Sequence, residues 1–271
     1  MSFDLGAYLA RIRLPEAPPV DTEGLTTIQR THRLAIPFEN LDIRLGRGIR
    51  TDSASVFAKL VTAKRGGYCF EQNRLFADAL AAMGFTARPL LARVLLGATG
   101  TPGLTHMLLL ITIDGQDWIA DAGFGGSYAP PMLLVDGAEA TAPDGALFRL
   151  IEGDRGWILV RDGAAGATDG RGGAGPVEQY CFKLTEVVQA DLDMSNHWTA
   201  TAPGTRFVDM AIVSIALPTG YAAMNDRKCG WHAGGEDVMT QIDDPRDYRS
   251  QLSTIFGIDL SDGEVAQLKL F

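Results

Sequence analysis

Three observations predict an α+β fold for this chain of 271 residues. Residues 1–85 place apolar side chains at helical spacing. Residues 86–192 change to short apolar runs separated by turn residues, and residues 193–271 mix the two patterns. With 46% hydrophobic content, a chain of this length can bury a substantial interior, organised as one or two compact cores.

Taken in order, Leu5, Tyr8, Leu9 and Ile12, framed by Asp4 and Arg11, predict an amphipathic first helix. Pro15 and Pro18-Pro19 interrupt the pattern. Thr22-Glu23-Gly24-Leu25 opens a second helix running toward His32, and Asp52-Ser53-Ala54-Ser55 is a good helix start before Val56, Phe57 and Leu60. Phe70, Phe76, Ala79, Leu80 and Met83 predict a helix beginning at or near Cys69, with Gly84 as its stop. Strands are expected at 88–96, 104–113, 116–121, 148–151 and 157–160, arranged as an antiparallel barrel or sandwich. Six glycines between Gly163 and Gly175 predict a mobile loop; no Gly-Lys-Ser/Thr follows, so it is not a phosphate loop. Asp193–Trp198 reads as a helix end or linker, and Phe207–Leu217 as a strong strand turned by Pro218-Thr219-Gly220. Asp244-Pro245 starts a helix through Tyr248, Leu252, Ile255 and Phe256 to Gly257.

The most informative stretch is Arg65-Gly66-Gly67-Tyr68-Cys69-Phe70-Glu71. Two glycines allow a sharp turn, and the helix behind them puts Cys69 among unpaired amides at the positive end of the helix dipole. That setting favours a thiolate, the form of cysteine that attacks carbonyl carbon. A nucleophile needs a base, and the base needs orienting. Asp114-Gly115 is a preferred pair for a two-residue type I′ hairpin turn between the strands 104–113 and 116–121. If Ile113 faces Gln116, Asp121 lies opposite Leu108. His106 and Asp121 then share one face as diagonal neighbours, and a slip of one residue would separate them. Singly, each residue has an ordinary structural reading: Cys69 as a small core residue, His106 as a buried strand residue, Asp121 as a turn or cap. Their combination points to a Cys-His-Asp triad.

A formal net charge of −9 argues against a nucleic-acid surface. Cys69, Cys181 and Cys229 form an odd set without CxxC or metal-like spacing, so free thiols in a reducing cytoplasm and no metal are expected. The N-terminus lacks the basic start and long apolar run of a signal peptide. No segment approaches the ~18 apolar residues of a membrane span. A cytoplasmic monomer or weak homodimer without a membrane partner is the expected state.

Ile36-Pro37-Phe38-Glu39-Asn40-Leu41, Arg65-Gly66-Gly67-Tyr68-Cys69, Thr105-His106 and Asp121-Ala122-Gly123-Phe124-Gly125 together resemble the arylamine N-acetyltransferases of bacteria. The resemblance covers the first half of the chain in order and spacing and is loose thereafter. It implies an N-terminal helical bundle (1–85), a central antiparallel β-barrel (86–192) and a C-terminal α/β lid (193–271), around a cysteine-protease-like catalytic core. Cys69 is then the nucleophile, His106 the base and Asp121 the orienter. The implied reaction moves acetyl from acetyl-coenzyme A to an arylamine, hydrazine or N-hydroxyarylamine, as in xenobiotic metabolism. Tyr68 stands where Trp is frequent, a conservative aromatic change. Glu71 places a carboxylate in the first helical turn, where it favours the dipole but opposes a nearby thiolate.

Around the triad, Glu39 and Arg65 are expected to pair and fix the Gly66-Gly67 turn. Phe38 and Phe124 could wall a slot for the acceptor ring. The amides of Gly125-Gly126-Ser127, read as exposed, and the Thr101-Pro102-Gly103 segment are candidates for coenzyme A phosphates. Cys181 reads as strand core, and His32, His197 and His232 have no assignable partner. The main rival is a cysteine amidase or peptidase with the same triad, which would pass the acyl group to water; a non-catalytic binding module is the second. Exclusion of water and admission of a thiol donor separate the first, and selective alkylation of Cys69 the second.

Overall fold

The structure, a computed structural model, describes residues 3–169, 171 and 175–271. Of the glycine-rich stretch, positions 170 and 172–174 lie outside the described residues. The chain opens with α1 (Leu5–Arg11) and α2 (Thr22–Ala35), capped by the Asp4 and Asp21 carboxylates. The two-residue strand β1 (Phe38–Glu39) follows, then α3 (Leu41–Arg44) and α4 (Ser53–Phe57), which begins on the Asp52 cap as its sequence signals. A π-helical turn, Ala58–Thr62, leads to α5 (Cys69–Met83), closed by Gly84 in the left-handed conformation at φ 99°.

Strands β2 (Thr86–Val94), β3 (His106–Ile113), β4 (Gln116–Ala120) and β5 (Met132–Leu133) come next. After them come β6 (Glu139–Thr141), β7 (Leu147–Gly153), β8 (Gly156–Asp162) and β9 (Pro176–Phe182). They form one antiparallel sheet in the order β5-β4-β3-β2-β9-β8-β7-β6, curled as a nearly closed barrel. The rest of the chain supplies α6 (Gln189–Thr201), α7 (Arg206–Asp209), β10 (Ile212–Leu217), β11 (Gly220–Asn225), β12 (Lys228–Ala233) and β13 (Glu236–Gln241). Helices α8 (Pro245–Phe256) and α9 (Asp262–Gln267) finish it. A second sheet runs β1-β10-β11-β12-β13, so β1 ties the first helices to the last third of the chain. Among the described residues, no helix is long and apolar enough to cross a membrane.

Strand β3 is buried on both faces, which explains its unbroken apolar run. Leu108 and Leu110 enter the barrel interior with Phe148 and Tyr180. Met107, Leu109 and Ile111 pack on the other side against Phe76, Ala79 and Leu80 of α5. Helix α5 is thereby pinned across the sheet with its first turn over the end of β3.

Two segments differ from the sequence expectation. Asp193–Trp198 lies inside α6, because Asp191 accepts the Val188 N–H at 3.0 Å and starts the helix earlier. Phe207–Asp209 belong to α7 and not to a strand. Asn40 holds this chain reversal: its amide donates to Phe207 O and Met210 O, both at 2.8 Å, and its Oδ1 accepts the Ile212 N–H at 2.7 Å. The β3–β4 register is the expected one, with Ile113 opposite Gln116. Asp114 and Gly115 have φ of 49° and 75°, as a type I′ turn requires. Gly115→Ala should therefore cost about 1 kcal/mol by forcing a Cβ into the left-handed region. An unchanged midpoint and slope in urea denaturation would show that the loop does not depend on this geometry.

Candidate active site

Cys69 is the first residue of α5, and its buried Sγ lies 3.8 Å from Thr105 O. The preceding turn is shaped by close approach. A Cβ on Gly66 would come 2.3 Å from Pro37 O, and one on Gly67 would meet the Glu71 side chain at 2.8 Å. Glu71 answers the question raised by its place in the first helical turn: it folds back, accepts the Tyr68 N–H at 3.1 Å, and pairs with Lys59 at 2.9 Å. Burial pushes its carboxyl up to about 7, against the opposing pull of Lys59.

His106 begins β3, and Asp121 follows the end of β4. His106 Nε2 and Asp121 Oδ2 are 2.7 Å apart, in the diagonal relation that the hairpin register dictates. That contact leaves Nδ1 as the free ring nitrogen, with Cys69 close enough to help raise the imidazole pKa. Burial alone would lower the imidazole pKa; the Asp121 carboxylate outweighs it, with help from Cys69, and raises it to about 9. Asp121 is lowered despite its burial by the same histidine and by two further hydrogen bonds. Its Oδ1 accepts the Asn73 amide at 3.0 Å and the Gly123 N–H at 2.9 Å.

Asn73, Gln29 and Arg33 escaped the sequence reading. Asn73 stands one helical turn after Cys69, a spacing that could have suggested it. It also donates to Met107 O at 2.6 Å and accepts the Ala122 N–H at 2.9 Å. Gln29 accepts the Asp121 N–H at 2.9 Å. Arg33 is buried with no carboxylate within 4 Å among the described residues. It donates to Ala122 O and Ser127 O at 3.1 and 3.2 Å and lies over the Tyr128 ring. No local periodicity marks Gln29 or Arg33, since their partners lie about ninety residues away.

Glu39 and Arg65 pair at 2.7 Å, as expected, but within a larger cluster. Lys59 reaches Asp42 at 2.9 Å as well as Glu71, and Arg65 reaches Asp42 at 3.3 Å. Two of the unassigned histidines have partners. His32 sits 2.8 Å from the Tyr8 hydroxyl and 2.7 Å from Gln72 Oε1, and His232 lies 2.6 Å from Asp237.

A cavity of about 230 Å³ opens beside Cys69 and His106. Phe38 and Phe124 both line it, with Phe207 as an unforeseen third ring 5.8 Å from Phe38. Phe124 also stands edge-on to His106, with ring centroids 5.1 Å apart. Gly103 is exposed at the cavity edge. The reading of Gly125-Gly126-Ser127 as exposed phosphate donors is overturned: all three are buried. The carbonyl of Gly125 accepts the Tyr221 and Ser214 hydroxyls, and Ser127 bonds Gln179 at 3.1 Å. Only Gly125 of the three faces the cavity. A larger hollow of about 660 Å³ shares Pro102 with it and has Arg93, Lys183 and Cys181 in its wall, but neither Cys69 nor His106.

A cysteine at a helix start, sharing a cavity with a histidine that an aspartate orients, is an arrangement for acyl transfer through a thioester. A family model described as N-acetyltransferase matches residues 21–265. An arylamine N-acetyltransferase of Escherichia coli is 39% identical over 218 residues, 80% of this chain and 74% of that protein. The Salmonella typhimurium arylamine N-acetyltransferase / N-hydroxyarylamine O-acetyltransferase is 35% identical, covering 97% of this chain and 91% of its own. The chain belongs to the arylamine N-acetyltransferase family. It is an acetyltransferase with the fold of that family. The solved Salmonella typhimurium enzyme superposes with a TM-score of 0.89 at 32% identity over 98% of both chains. The Mycobacterium marinum enzyme, solved in complex with CoA, gives 0.88 at 27% identity over the same share of each.

The raised pKa of His106 has a consequence for stability. Its folded value, about 9, exceeds the ordinary 6.5, so protonation favours the folded state. The contribution is complete below about pH 6.5 and fades as pH rises through about 9. The stability gap between wild type and His106→Gln, read by urea denaturation at several pH values, should narrow over that window. A gap that widens with pH would contradict the charged pair.

Proposed function

We propose that Cys69, His106 and Asp121 carry acetyl from acetyl-coenzyme A to an arylamine, hydrazine or N-hydroxyarylamine by double displacement. The observation that supports this most is the His106–Asp121 contact beside a cysteine at the head of α5. Cys69 gives its proton to His106, and the thiolate attacks the thioester carbonyl. The Cys69 amide, which has no acceptor within the helix, faces the developing oxyanion. Collapse breaks the carbon–sulfur bond to coenzyme A, whose thiolate takes the proton from His106. The amine then attacks acetyl-Cys69 while His106 accepts the amine proton and returns it to the departing cysteine sulfur. Asp121 keeps the imidazole oriented and stabilises its charged form.

Phe38 and Phe124 flank the acceptor ring in this reading. Phosphates need cations and free amides; Arg93 and Lys183 line the larger hollow, and the exposed Gly103 lies at the edge of the Cys69 cavity next to it. Its shared wall with the Cys69 cavity suits a donor whose thioester must reach Cys69. Glu39 and Arg65 act as supports of the turn. Three free cysteines fit a reducing cytoplasm, and we take the working form to be a monomer or weak homodimer.

Intact mass after incubation with acetyl-coenzyme A should show one acetyl adduct, absent in Cys69→Ser. Varying amine and donor together should give parallel double-reciprocal plots. Intersecting plots, or substantial turnover by Cys69→Ser, would indicate direct transfer in a ternary complex. Asp121→Asn should lower kcat severalfold to orders of magnitude in a protein that still folds, whereas Asp114→Asn should not. Equal activity of the two variants would remove the orienting role.

A further inference from the structure

Arg33 is a buried cation that the mechanism above leaves without a role. It is 5% exposed, and its fork donates to Ala122 O at 3.1 Å and to Ser127 O at 3.2 Å. Its Nε is buried with no partner. One turn earlier on the same face of α2, Gln29 does similar work with a neutral amide. Gln29 donates to Ala129 O at 2.8 Å and accepts the Asp121 N–H at 2.9 Å. The two side chains thus grip the segment 121–129 at four points. That segment begins with the orienting carboxylate and supplies Gly123, Phe124 and Gly125 to the wall of the Cys69 cavity.

Gripping carbonyls requires donors but not charge, as the Gln29 amide shows. A guanidinium stays protonated, and burying it without a counter-ion is costly. An anion nearby must therefore offset it. Burial disfavours the cationic form of Arg33, whereas Tyr221, Asp121, Tyr128 and Tyr180 favour it. Burial also pushes those three tyrosine hydroxyls up and keeps them neutral, which leaves Asp121 as the anion of the set. Of the remaining ionisable neighbours, His32 is held neutral by burial, its pKa pushed down to about 3. Arg30, beside Tyr128, is a second and more exposed cation. Asp169, beyond Tyr221, is paired with Arg171 at 2.7 Å.

Asp121 belongs to the reacting group. With the Cys69 proton on His106, that group carries two negative charges and one positive. One more proton, giving a thiol beside the imidazolium, removes a negative charge and ends the reactivity of the sulfur. A fixed cation on the α2 side of Asp121 opposes that proton. We propose that Arg33 is a positioning residue for the acetyl transfer: it fixes the segment 121–129, and its charge, acting through Asp121, keeps Cys69 ionised to lower pH. The proposal rests on the reading of Cys69 as the acetyl carrier and adds the charge that sustains its thiolate.

Iodoacetamide alkylation of Cys69, followed by peptide mass from acid to mildly alkaline pH, tests this in wild type, Arg33→Gln, Arg33→Lys and Gln29→Leu. The quantity read is the pH at which the rate falls to half on the acid side. Glu71, pushed up to about 7 by burial in the same helical turn, and Tyr68, whose hydroxyl burial also pushes up, are common to all four proteins. Only differences between the proteins therefore count. Loss of the charge in Arg33→Gln should move the midpoint up by about one pH unit. Arg33→Lys keeps a cation, and Gln29→Leu cuts two of the four bonds with every charge in place. Both should lower the urea midpoint and leave the alkylation midpoint at the wild-type value. An unmoved midpoint in Arg33→Gln overturns the role of the charge. A shift in Gln29→Leu or Arg33→Lys as large as that expected for Arg33→Gln assigns the effect to loop geometry and overturns it as well. Those two variants decide the matter even where Arg33→Gln does not fold. A wild type in which Cys69 reacts no faster than Cys181 and Cys229 defeats the underlying reading, an outcome separable from any difference between midpoints.

Discussion

The site depends on the docking of the first turns of α5 onto the exit of the β3–β4 hairpin, and Asn73 makes that joint. Its Oδ1 accepts the Ala122 N–H, while its amide reaches Met107 O and Asp121 Oδ1. Cys69 lies one turn earlier on the same helix, so the joint sets the nucleophile and the orienting carboxylate relative to each other. Gly123 completes it, because a Cβ there would approach the Cys69 backbone to 2.8 Å and Asn73 Nδ2 to 2.5 Å. His106, at the first position of β3, then has its place between the two fixed by strand register. The apolar packing of Leu109 and Ile111 against α5 supplies the rigidity on which hydrogen bonds of this geometry rely.

Charge is balanced in two buried groups that hold the same turn from opposite sides. Asp121 bears a negative charge in a buried position, with His106 hydrogen-bonded to it. A thiolate–imidazolium pair beside Asp121 would leave one negative charge uncompensated. Arg33, buried beneath the 121–128 loop and bonded only to carbonyls and an aromatic face, is the nearby positive charge. On the other side, Glu39, Asp42 and Glu71 face Lys59 and Arg65, and Arg47 reaches Asp42 from the edge at 3.4 Å. The carboxyl of Glu71 is raised, because burial opposes its charge more than Lys59 favours it.

What the sequence disclosed follows a physical division. The hairpin register could be counted from Asp114-Gly115, because a type I′ turn and a period of two leave one solution. The α5 start was legible for a similar reason: the Gly66-Gly67 pair and the apolar spacing after Cys69 are local signals. The α7–β10 reversal was not, because Asn40, distant in sequence, determines where the strand begins. Gly125–Ser127 looked like a free amide cluster, since glycine and serine are common in exposed turns. Its burial under Tyr221, Ser214 and Gln179 is a tertiary fact that no local pattern carries.

Those tertiary contacts also explain why the last third of the chain matters to a site whose reacting residues all precede position 122. Strand β1 pairs with β10 through Phe38 and Ser214, and bridges Gly67 on its other edge. A two-residue strand therefore connects the nucleophile turn to the C-terminal sheet. The same sheet sends the Tyr221 hydroxyl to Gly125 O, while α7 places Phe207 beside Phe38 and Arg206 at the cavity end. The placing of Cys69 and Asp121 is thus set by the helix–hairpin joint, whereas the cavity in front of them is walled both by its neighbours, Phe38, Gly123 and Phe124, and by Arg206 and Phe207 of α7. Asn73 bonds Met107, Asp121 and Ala122, none of them in α7, so Phe207 and Arg206 can vary without disturbing that joint. The shape and charge of the cavity's α7 wall can change while the geometry of Cys69, His106 and Asp121 stays the same.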